Sequence, residues 1–266
     1  MYDYHMHSHV SFDTESAPAD MLRAAEKAGL REICFTDHYD FNDINRSETN
    51  LFTIEEYKNA YGSLSSERVK IRRGVEFGLT PWNQGEMKAL LSSYNFDFVI
   101  GSVHYALGCD PYYEDFWRGL DSADKAFEKY LSHMLTCVKA HTDFDVLGHL
   151  NYVCRYVCRS PHGLESKYLH YEDFRDICDE IFRELIAKGK GIEINTSGYD
   201  DYGEFIPSPA FVRRFRELGG EIITVGSDAH FPSRVGERVS GAIEMAKDIF
   251  GYVCTFENRK PIFHKI

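Results

Sequence analysis

Histidine, aspartate and glutamate side chains follow a series of short apolar runs along the chain. His5-Met6-His7 comes directly after the first run, and Asp228-Ala229-His230 follows the last. Residues two apart on a strand point to the same side, so each pair can present two donor groups together. The residues at or just after the ends of these runs are His5, His7, His38, Glu76, His104, His149, Glu193, Asn195, Asp228 and His230. Imidazole and carboxylate groups bind transition-metal ions, so the pattern indicates metal chemistry.

Taken one at a time, these residues have ordinary explanations. Asp228 alone would usually cap a helix, and Glu76 alone would be a solvated carboxylate. Seven of the twelve histidines, however, belong to the strand-end motifs: His5, His7, His9, His38, His104, His149 and His230. Burying so many imidazole and carboxylate groups without a cation would be very costly, so we expect a shared metal site. The others, His133, His141, His162, His170 and His264, are expected to be ordinary surface residues.

The apolar runs are short and rich in β-branched and aromatic residues, which is typical of buried strands. They cover residues 33–36, 71–77, 96–100, 144–147, 191–194 and 221–225, and helical periodicity appears at 20–28, 124–139, 171–188, 209–218 and 239–250. This alternation predicts an α/β fold in which a parallel sheet is covered by helices and the strand-end residues converge on one face. Two aromatic-rich regions, 39–69 and 105–120, are predicted to be loops or lids over that face.

Length and composition favour one compact domain covering residues 1–266. A chain of 266 residues suits a single β/α barrel, and a hydrophobic fraction of 43% is enough for a real core. Acidic residues outnumber basic ones by 42 to 30 without any basic stripe, so nucleic acid is not an expected partner. No signal peptide or membrane span is recognisable, and the seven scattered cysteines are typical of reduced thiols. We therefore expect a cytoplasmic protein with no membrane partner.

The motifs occur in an order that points to one superfamily. They are His5-Met6-His7 with Ser11 and Asp13 downstream, Thr36-Asp37-His38, Gly74-Val75-Glu76, Gly101-Ser102-Val103-His104, Gly148-His149 and Ser227-Asp228-Ala229-His230. Together they resemble the PHP (polymerase and histidinol phosphatase) superfamily across nearly the whole chain. The motifs of His104 and His149, with Glu193-Ile194-Asn195-Thr196-Ser197-Gly198, look like its histidinol-phosphate phosphatase branch. The resemblance implies a distorted, TIM-like (β/α)7 barrel.

The resemblance also implies two or three divalent ions, which would be Zn, Mn or Fe. The first ion would be bound by His5, His7, Glu76 and Asp228. Glu76 would bridge to a second ion, bound by His104 and His149, and a third would be bound by His38, His230 and residue 13. A common form of the family has histidine at that last position, whereas this chain has Asp13, so the occupancy and identity of the third ion stay open. His9 is a further candidate without an assigned place.

For this branch the implied reaction is hydrolysis of L-histidinol phosphate, a step of histidine biosynthesis, by a hydroxide that bridges two ions. His230 or Asp228 would protonate the leaving oxygen. Arginines near the motifs are candidates for binding the phosphoryl oxygens, and polar residues after the strand at 191–194 are candidates for binding the rest of the substrate. These residues are Arg155, Arg159 and Arg234 in the first group and Glu193 and Asn195 in the second. For each arginine, a surface salt bridge is an equally good explanation.

Other interpretations of the ligand set stay open. A PHP phosphoesterase could act on nucleotides or other small phosphomonoesters. A non-catalytic metal-binding scaffold, like the modules attached to polymerases, is less consistent with the full ligand set and the lack of a partner domain. A metal-dependent amidohydrolase shares the His-x-His strand end, but it would usually need a bridging lysine at a strand end, where this chain has none. The sequence does not indicate an oligomeric state.

Overall fold

Strands and helices alternate along most of the chain in the computed structural model, which describes residues 1–161, 168–199 and 203–266 and, of Arg159, the backbone only. The strands of this part are β1 (Tyr2–Met6), β2 (Glu32–Phe35), β3 (His38–Phe41), β4 (Thr49–Asn50), β5 (Lys70–Gly78), β6 (Phe98–Ser102), β7 (Val146–Leu147), β8 (Gly191–Asn195), β9 (Ile223–Gly226), β10 (Tyr252–Glu257) and β11 (Lys260–Lys265). The α-helices are α1 (Pro18–Lys27), α2 (Ile54–Tyr61), α3 (Gln84–Ser93), α4 (Glu114–Trp117), α5 (Ala123–Ala140), α6 (Arg175–Ala187), α7 (Pro209–Glu217) and α8 (Val239–Phe250). Short 3-10 helices cover Tyr152–Arg159, Tyr171–Phe174 and Pro232–Arg234.

Seven parallel strands form a sheet that is nearly closed into a barrel, in the order β1, β2, β5, β6, β7, β8, β9. At the gap between β1 and β9, the Asp228 amide donates to the His5 carbonyl at 2.7 Å, and the His7 amide donates to the Ala229 carbonyl at 2.9 Å. The two strands come this close because β9 has glycine at position 226, where a Cβ atom would lie 2.2 Å from that of His5. The predicted (β/α)7 barrel is therefore confirmed.

The barrel is filled with apolar side chains at the amino ends of its strands. Tyr4, Cys34, Phe98, Ile100 and Val146 form a buried cluster there with Cys254 and Phe256 of β10. The antiparallel hairpin of β10 and β11 covers this end, and the Phe256 amide donates to the Tyr4 hydroxyl at 3.1 Å. A second, larger core lies between the strands and the surrounding helices. A buried ion pair between Arg72 and Glu32 also lies at this end, whereas the predicted metal ligands lie where the strands finish.

The predicted strands and helices are confirmed, with boundaries that shift by a few residues. The segment predicted as a helix over 171–188 begins as the 3-10 helix Tyr171–Phe174 and continues as α6. The prediction that residues 39–69 form a loop is wrong, because this region contains β3, β4 and α2. Helix α2 begins at a capping box formed by Thr53 and Glu56. Helix α3 and the β10–β11 hairpin were not predicted. The region 105–120 is irregular apart from α4, as expected.

The prediction that His141 is a surface residue is also wrong. His141 is 1% exposed, and its Nε2 atom lies 2.8 Å from the Thr80 carbonyl oxygen. A buried imidazole is tolerated where the backbone supplies its hydrogen bond, which the sequence does not reveal. The surface prediction is wrong for His133 as well, because its side chain is 9% exposed beside Asp43, and His162 lies outside the described residues. Within the described ranges, no helix has the length and apolar character needed to cross a lipid bilayer.

Candidate metal centre

The predicted metal ligands converge at the carboxyl ends of the barrel strands. His5 and Glu76 lie on β1 and β5, and His38 begins β3, which pairs with β5 directly opposite Glu76. The others follow β1, β6, β7 and β9 by one to four residues, except Asp13, which lies in the connection between β1 and α1. Apart from that of Asp13, their donor atoms form overlapping groups of three, and the atoms of each group lie within 4.8 Å of one another.

A first group is formed by His5, His7, Glu76 and Asp228. The Nε2 atom of His5 lies 3.1 Å from Glu76 Oε2, and the Nε2 atom of His7 lies 3.2 Å from Asp228 Oδ1. The two Nε2 atoms and Glu76 Oε2 are buried and have no hydrogen-bond partner among the described residues. Unpartnered buried donor atoms that face one point are costly in a protein without a cation, and a divalent ion would satisfy all of them. These residues therefore fit a metal.

A second group uses the other oxygen of Glu76. Glu76 Oε1 lies 2.8 Å from His149 Nε2 and 3.3 Å from His104 Nε2, and these two nitrogens are 3.4 Å apart. Two imidazole nitrogens and a carboxylate oxygen are a common ligand set for Zn²⁺ and related ions. Glu76 thus presents one oxygen to each group, as a bridging ligand would.

A third group contains Asp13, at the position where a common form of the family has histidine. Asp13 Oδ2 lies 2.9 Å from His230 Nε2 and 3.5 Å from His38 Nε2, and the two nitrogens are 3.4 Å apart. Although burial opposes its ionisation, hydrogen bonds from His230 and His38 hold the pKa of Asp13 well below its ordinary value. Asp13 is therefore a charged oxygen donor next to both imidazoles. His9 is exposed and, like Asp13, belongs to none of the groups of three potential ligands in the described residues, and no contact places it beside the other ligands.

The second ring nitrogen of most ligand histidines has a hydrogen-bonding partner. His5 Nδ1 lies 2.7 Å from Glu193 Oε1, His104 Nδ1 lies 3.0 Å from Asp40 Oδ1, and His7 Nδ1 lies 3.1 Å from Ser11 Oγ. Such partners fix the orientation and tautomer of an imidazole, so that the other nitrogen faces the centre. Asp40 was missed by the sequence reasoning. Its only signal is its place two residues after His38, on the same side of β3.

Electrostatic interactions oppose the effect of burial at His5 and Glu76, whereas at His7 burial and the neighbouring histidines together hold the pKa well below its ordinary value. Burial disfavours the charged form of His5, but Glu193, Glu76 and Asp228 outweigh it and raise the pKa of His5 well above its ordinary value. Burial likewise opposes ionisation of Glu76, but the surrounding histidines, His5 first, keep the pKa of Glu76 well below its ordinary value. The carboxylates are therefore anionic, and they make the end of the barrel attractive for cations.

A cavity of about 480 Å³ opens above the ligands, and Arg155 lines it together with Asp228 and His230. The Arg155 Nη1 atom donates to Ser197 Oγ at 3.1 Å and lies 3.8 Å from Asp228 Oδ2. Arg234, in contrast, pairs with Glu237 at 2.7 Å and is not among the cavity-lining residues of the described part. The side chain of Arg159 lies outside the described residues.

Glu193 and Asn195, the two polar residues of β8 that were predicted to contact the substrate, lie beside the ligand histidines. Glu193 is 1% exposed, contacts His5 and also accepts a hydrogen bond from the His149 amide at 3.1 Å. Asn195 is fully buried and donates to Glu193 Oε2 at 3.2 Å and to Asp228 Oδ2 at 3.3 Å. Neither lines the cavity in the described structure. Both are therefore placed to orient the ligands, because they contact His5 and, through it or directly, Asp228 and His149.

Comparisons with known proteins agree with this architecture. The sequence matches the PHP domain family over residues 3–197. The chain belongs to the PHP domain family. PHP relatives match it along almost its whole length: the histidinol-phosphatase of Lactococcus lactis is 32% identical over 97% of this chain and 95% of its own. A "Probable histidinol-phosphatase" of Clostridium acetobutylicum is 30% identical over 99% of this chain and 96% of its own.

Solved structures of PHP proteins show the same fold. The histidinol phosphate phosphatase of Lactococcus lactis, crystallised with Zn, L-histidinol and phosphate, has a TM-score of 0.88 to this chain, with 32% identity and coverage of 98% of both chains. A Listeria monocytogenes structure has a TM-score of 0.69 and covers 91% of this chain and 99% of its own. At 17% identity, this second likeness supports the fold alone.

Proposed function

We propose that this protein is a metal-dependent histidinol-phosphatase, which converts L-histidinol phosphate and water into L-histidinol and phosphate in histidine biosynthesis. The observation that carries the proposal is the full set of histidine and carboxylate ligands at the end of the barrel. Relatives that bear this name align with the whole chain, so the likeness includes every element that contributes a ligand. The reaction is a phosphoric monoester hydrolysis.

The three groups of donors would hold two or three divalent ions, with Zn²⁺ as the first candidate because the Lactococcus structure contains Zn. Ions at these positions would lower the pKa of bound water toward about 7 and offset charge on the phosphoryl oxygens. Glu76 would be the ligand shared by the first and second groups, since each of its oxygens faces one of them. Glu193, Ser11 and Asp40 hold the imidazoles in place.

Arg155 is the cationic residue best placed to bind a phosphoryl oxygen. It lines the cavity beside Asp228, and a guanidinium offers several donors in a fixed plane to a phosphate. Its contact with Ser197 holds the guanidinium at the cavity wall. We propose that Arg155 orients the phosphoryl group toward the ligands, whereas Arg234 has a surface role with Glu237.

His230 and Asp228 are the candidates for protonating the leaving oxygen, because both line the cavity. The Nδ1 atom of His230 donates to the Asp228 carbonyl oxygen at 2.9 Å, which leaves Nε2 facing the third group. Burial opposes protonation of His230, but the hydrogen bond to Asp13 raises its pKa above the ordinary value. When no ion occupies the third group, this raised pKa favours the protonated form of His230.

Phosphate release from L-histidinol phosphate tests the proposal, measured beside a panel of nucleotides, sugar phosphates and other phosphomonoesters. The metal-loaded protein should have a kcat/KM for L-histidinol phosphate well above that of the panel, and chelation should abolish the activity. His104→Ala should abolish it as well, since it removes a ligand of the second group. His170→Ala, at an exposed position, is the matched control and should retain activity. Metal-dependent turnover without a preference for L-histidinol phosphate would contradict the substrate assignment.

A further inference from the structure

The active-site cavity contains a carboxylate that the metal ligands do not use. Asp110 lies between β6 and α4 and lines the cavity. Its Oδ1 atom accepts hydrogen bonds from the Tyr112 amide at 2.8 Å and from the Tyr152 hydroxyl at 3.1 Å. No Lys, Arg or His side chain of the described residues forms an ion pair with it. Its hydrogen bonds within the described structure thus come from neutral donors, and a partly buried carboxylate of this kind is stabilised further when a ligand brings a positive charge.

Aromatic rings surround this carboxylate and form a tyrosine wall, defined here as Tyr112, Tyr113, Tyr152 and Tyr156. All four line the cavity. The rings of Tyr152 and Tyr156 are 5.0 Å apart, those of Tyr156 and Tyr112 are 5.5 Å apart, and those of Tyr112 and Tyr113 are 5.1 Å apart. Aromatic faces attract organic cations, and a carboxylate beside them adds a charged hydrogen-bond acceptor. The combination suits an ammonium or imidazolium group.

Tyr152 connects this region to the metal centre. Its ring lies 5.0 Å from the ring of His149 and 5.5 Å from that of His104, whereas its hydroxyl donates to Asp110. The carboxylate is thus about one tyrosine side chain away from the ligands of the second group. A small alcohol that carries a positive charge near its phosphate ester would reach both places at once.

We propose that Asp110 and the tyrosine wall form the subsite for the positively charged group of the leaving alcohol. This inference rests on the proposed function and deepens it, because it says which phosphomonoesters the centre accepts. Substrates with an ammonium or imidazolium group in the alcohol are favoured, and those with a neutral or anionic alcohol, including nucleotides and sugar phosphates, are disfavoured. Asp110 is a specificity-determining residue, and the reaction at phosphorus does not require it.

The test compares Asp110→Asn with the unchanged metal-loaded protein on three substrates. Two of them, 2-aminoethyl phosphate and n-propyl phosphate, have nearly the same size and differ in charge; the third is L-histidinol phosphate. The variant should lose about 10- to 100-fold in kcat/KM on both cationic substrates, the range typical of one hydrogen bond to a charged group. On n-propyl phosphate it should stay within about twofold. Asp115→Asn, an exposed carboxylate on the neighbouring helix, is the control and should change none of the three values.

Equilibrium binding supplies a measurement independent of turnover. Titration calorimetry of the metal-loaded protein should show weaker binding of L-histidinol to Asp110→Asn and unchanged binding of inorganic phosphate. Equal losses for n-propyl phosphate and 2-aminoethyl phosphate would overturn the inference, because they would indicate a purely structural role. No loss for either cationic substrate would overturn it too.

The two proposals fail in different ways. If the unchanged protein shows no preference for L-histidinol phosphate over other cationic phosphomonoesters, the proposed function fails. The comparison of 2-aminoethyl phosphate with n-propyl phosphate would still decide the role of Asp110. If L-histidinol phosphate is the preferred substrate and Asp110→Asn leaves that preference unchanged, the subsite lies elsewhere and the proposed function stands.

Discussion

Carboxylates one layer behind the ligands decide which imidazole nitrogen faces the metal centre. Glu193 holds Nδ1 of His5 at 2.7 Å, and its other oxygen accepts from the His149 amide, so one side chain supports two ligand groups. Such partners also make the imidazole a better electron donor. The ligands and the residues behind them should therefore be distinguishable by the size of their effect on metal binding.

Glu193→Gln should weaken metal binding without abolishing it. The amide oxygen can still accept from His5, but the negative charge that stabilises the ligand is lost. We expect the affinity for Zn²⁺ to fall by about 10- to 100-fold, measured by competition with a coloured chelator. Glu221→Gln, at an exposed position just before β9, should leave the affinity unchanged. An unaltered affinity in Glu193→Gln would show that this contact does not support the centre.

Asp13 should determine whether the third ion binds. Asp13→Ala removes the oxygen that lies next to His38 and His230, so the variant should contain one metal ion fewer per chain than the unchanged protein. Asp13→His, which restores the common form of the family motif, should keep that ion. The metal content of the purified proteins, measured by elemental analysis, checks both outcomes. His9→Ala should retain the full content, and equal metal content in Asp13→Ala would rule Asp13 out as a ligand.

Most residues of the candidate metal centre could be singled out from the sequence because each of them, apart from Asp13, belongs to a short motif at a strand end. Their spacing along the chain is the spacing of the barrel strands, so the fold alone brings them together. Asp40 and Asp110 could not be recognised in this way. Asp40 lies on β3, in a region of the sequence without clear periodicity. Asp110 lies in a loop whose course depends on tertiary contacts.

Strands and helices were predicted correctly where the local sequence pattern agrees with the burial of the element in the fold. The strands of the barrel are buried on both faces and appear as continuous apolar runs. Helix α3 was missed because only Met87 and Leu90 of its ten residues are buried, which leaves a weak periodic pattern. The hairpin of β10 and β11 was missed because its two-residue turn, Asn258-Arg259, puts an arginine at a positive φ of 64°, which is an uncommon turn signal.

Helices α6 and α7 are joined by an ion pair that should make stability depend on pH. Arg214 donates to both oxygens of Asp179, from Nε at 2.9 Å and from Nη2 at 2.7 Å, and Asp179 is nearly buried. These hydrogen bonds lower the pKa of Asp179 in the folded protein. Ionisation therefore favours folding: the contribution is complete at pH values above the pKa of an unfolded aspartate and is lost as the pH falls through the folded pKa.

Asp179→Asn should be less stable than the unchanged protein at neutral pH, and the difference should shrink as the pH is lowered. The free energy of unfolding, measured with urea over a series of pH values, checks this expectation. Asp248→Asn, at an exposed position on α8, should lie close to the unchanged protein at every pH. A constant difference between Asp179→Asn and the unchanged protein across the series would contradict the role of the ion pair.

For the whole molecule, the metal centre joins parts of the chain that are far apart in sequence. Its ligands follow β1 near the amino terminus and β9 near the carboxyl terminus, and they lie where the barrel is nearly closed by the contacts of His5 and His7 with Asp228 and Ala229. Ions bound there would therefore stabilise the closure of the barrel as well as supply the chemistry. Because the barrel cannot close without both ends, we predict that residues 1–266 unfold as one domain.

Removal of metal should lower the melting temperature and leave a single transition. A ligand that binds only the folded state at 100 times its Kd stabilises a protein by about 2.7 kcal/mol, which corresponds to roughly 5–10 °C for a domain of this size. Calorimetry with and without excess Zn²⁺, after removal of metal by a chelator, measures the shift. In the variant His104→Ala the shift should be smaller, because one group of donors is incomplete. Two separate transitions would contradict a single domain, and an unchanged melting temperature would show that the ions do not stabilise the closed barrel.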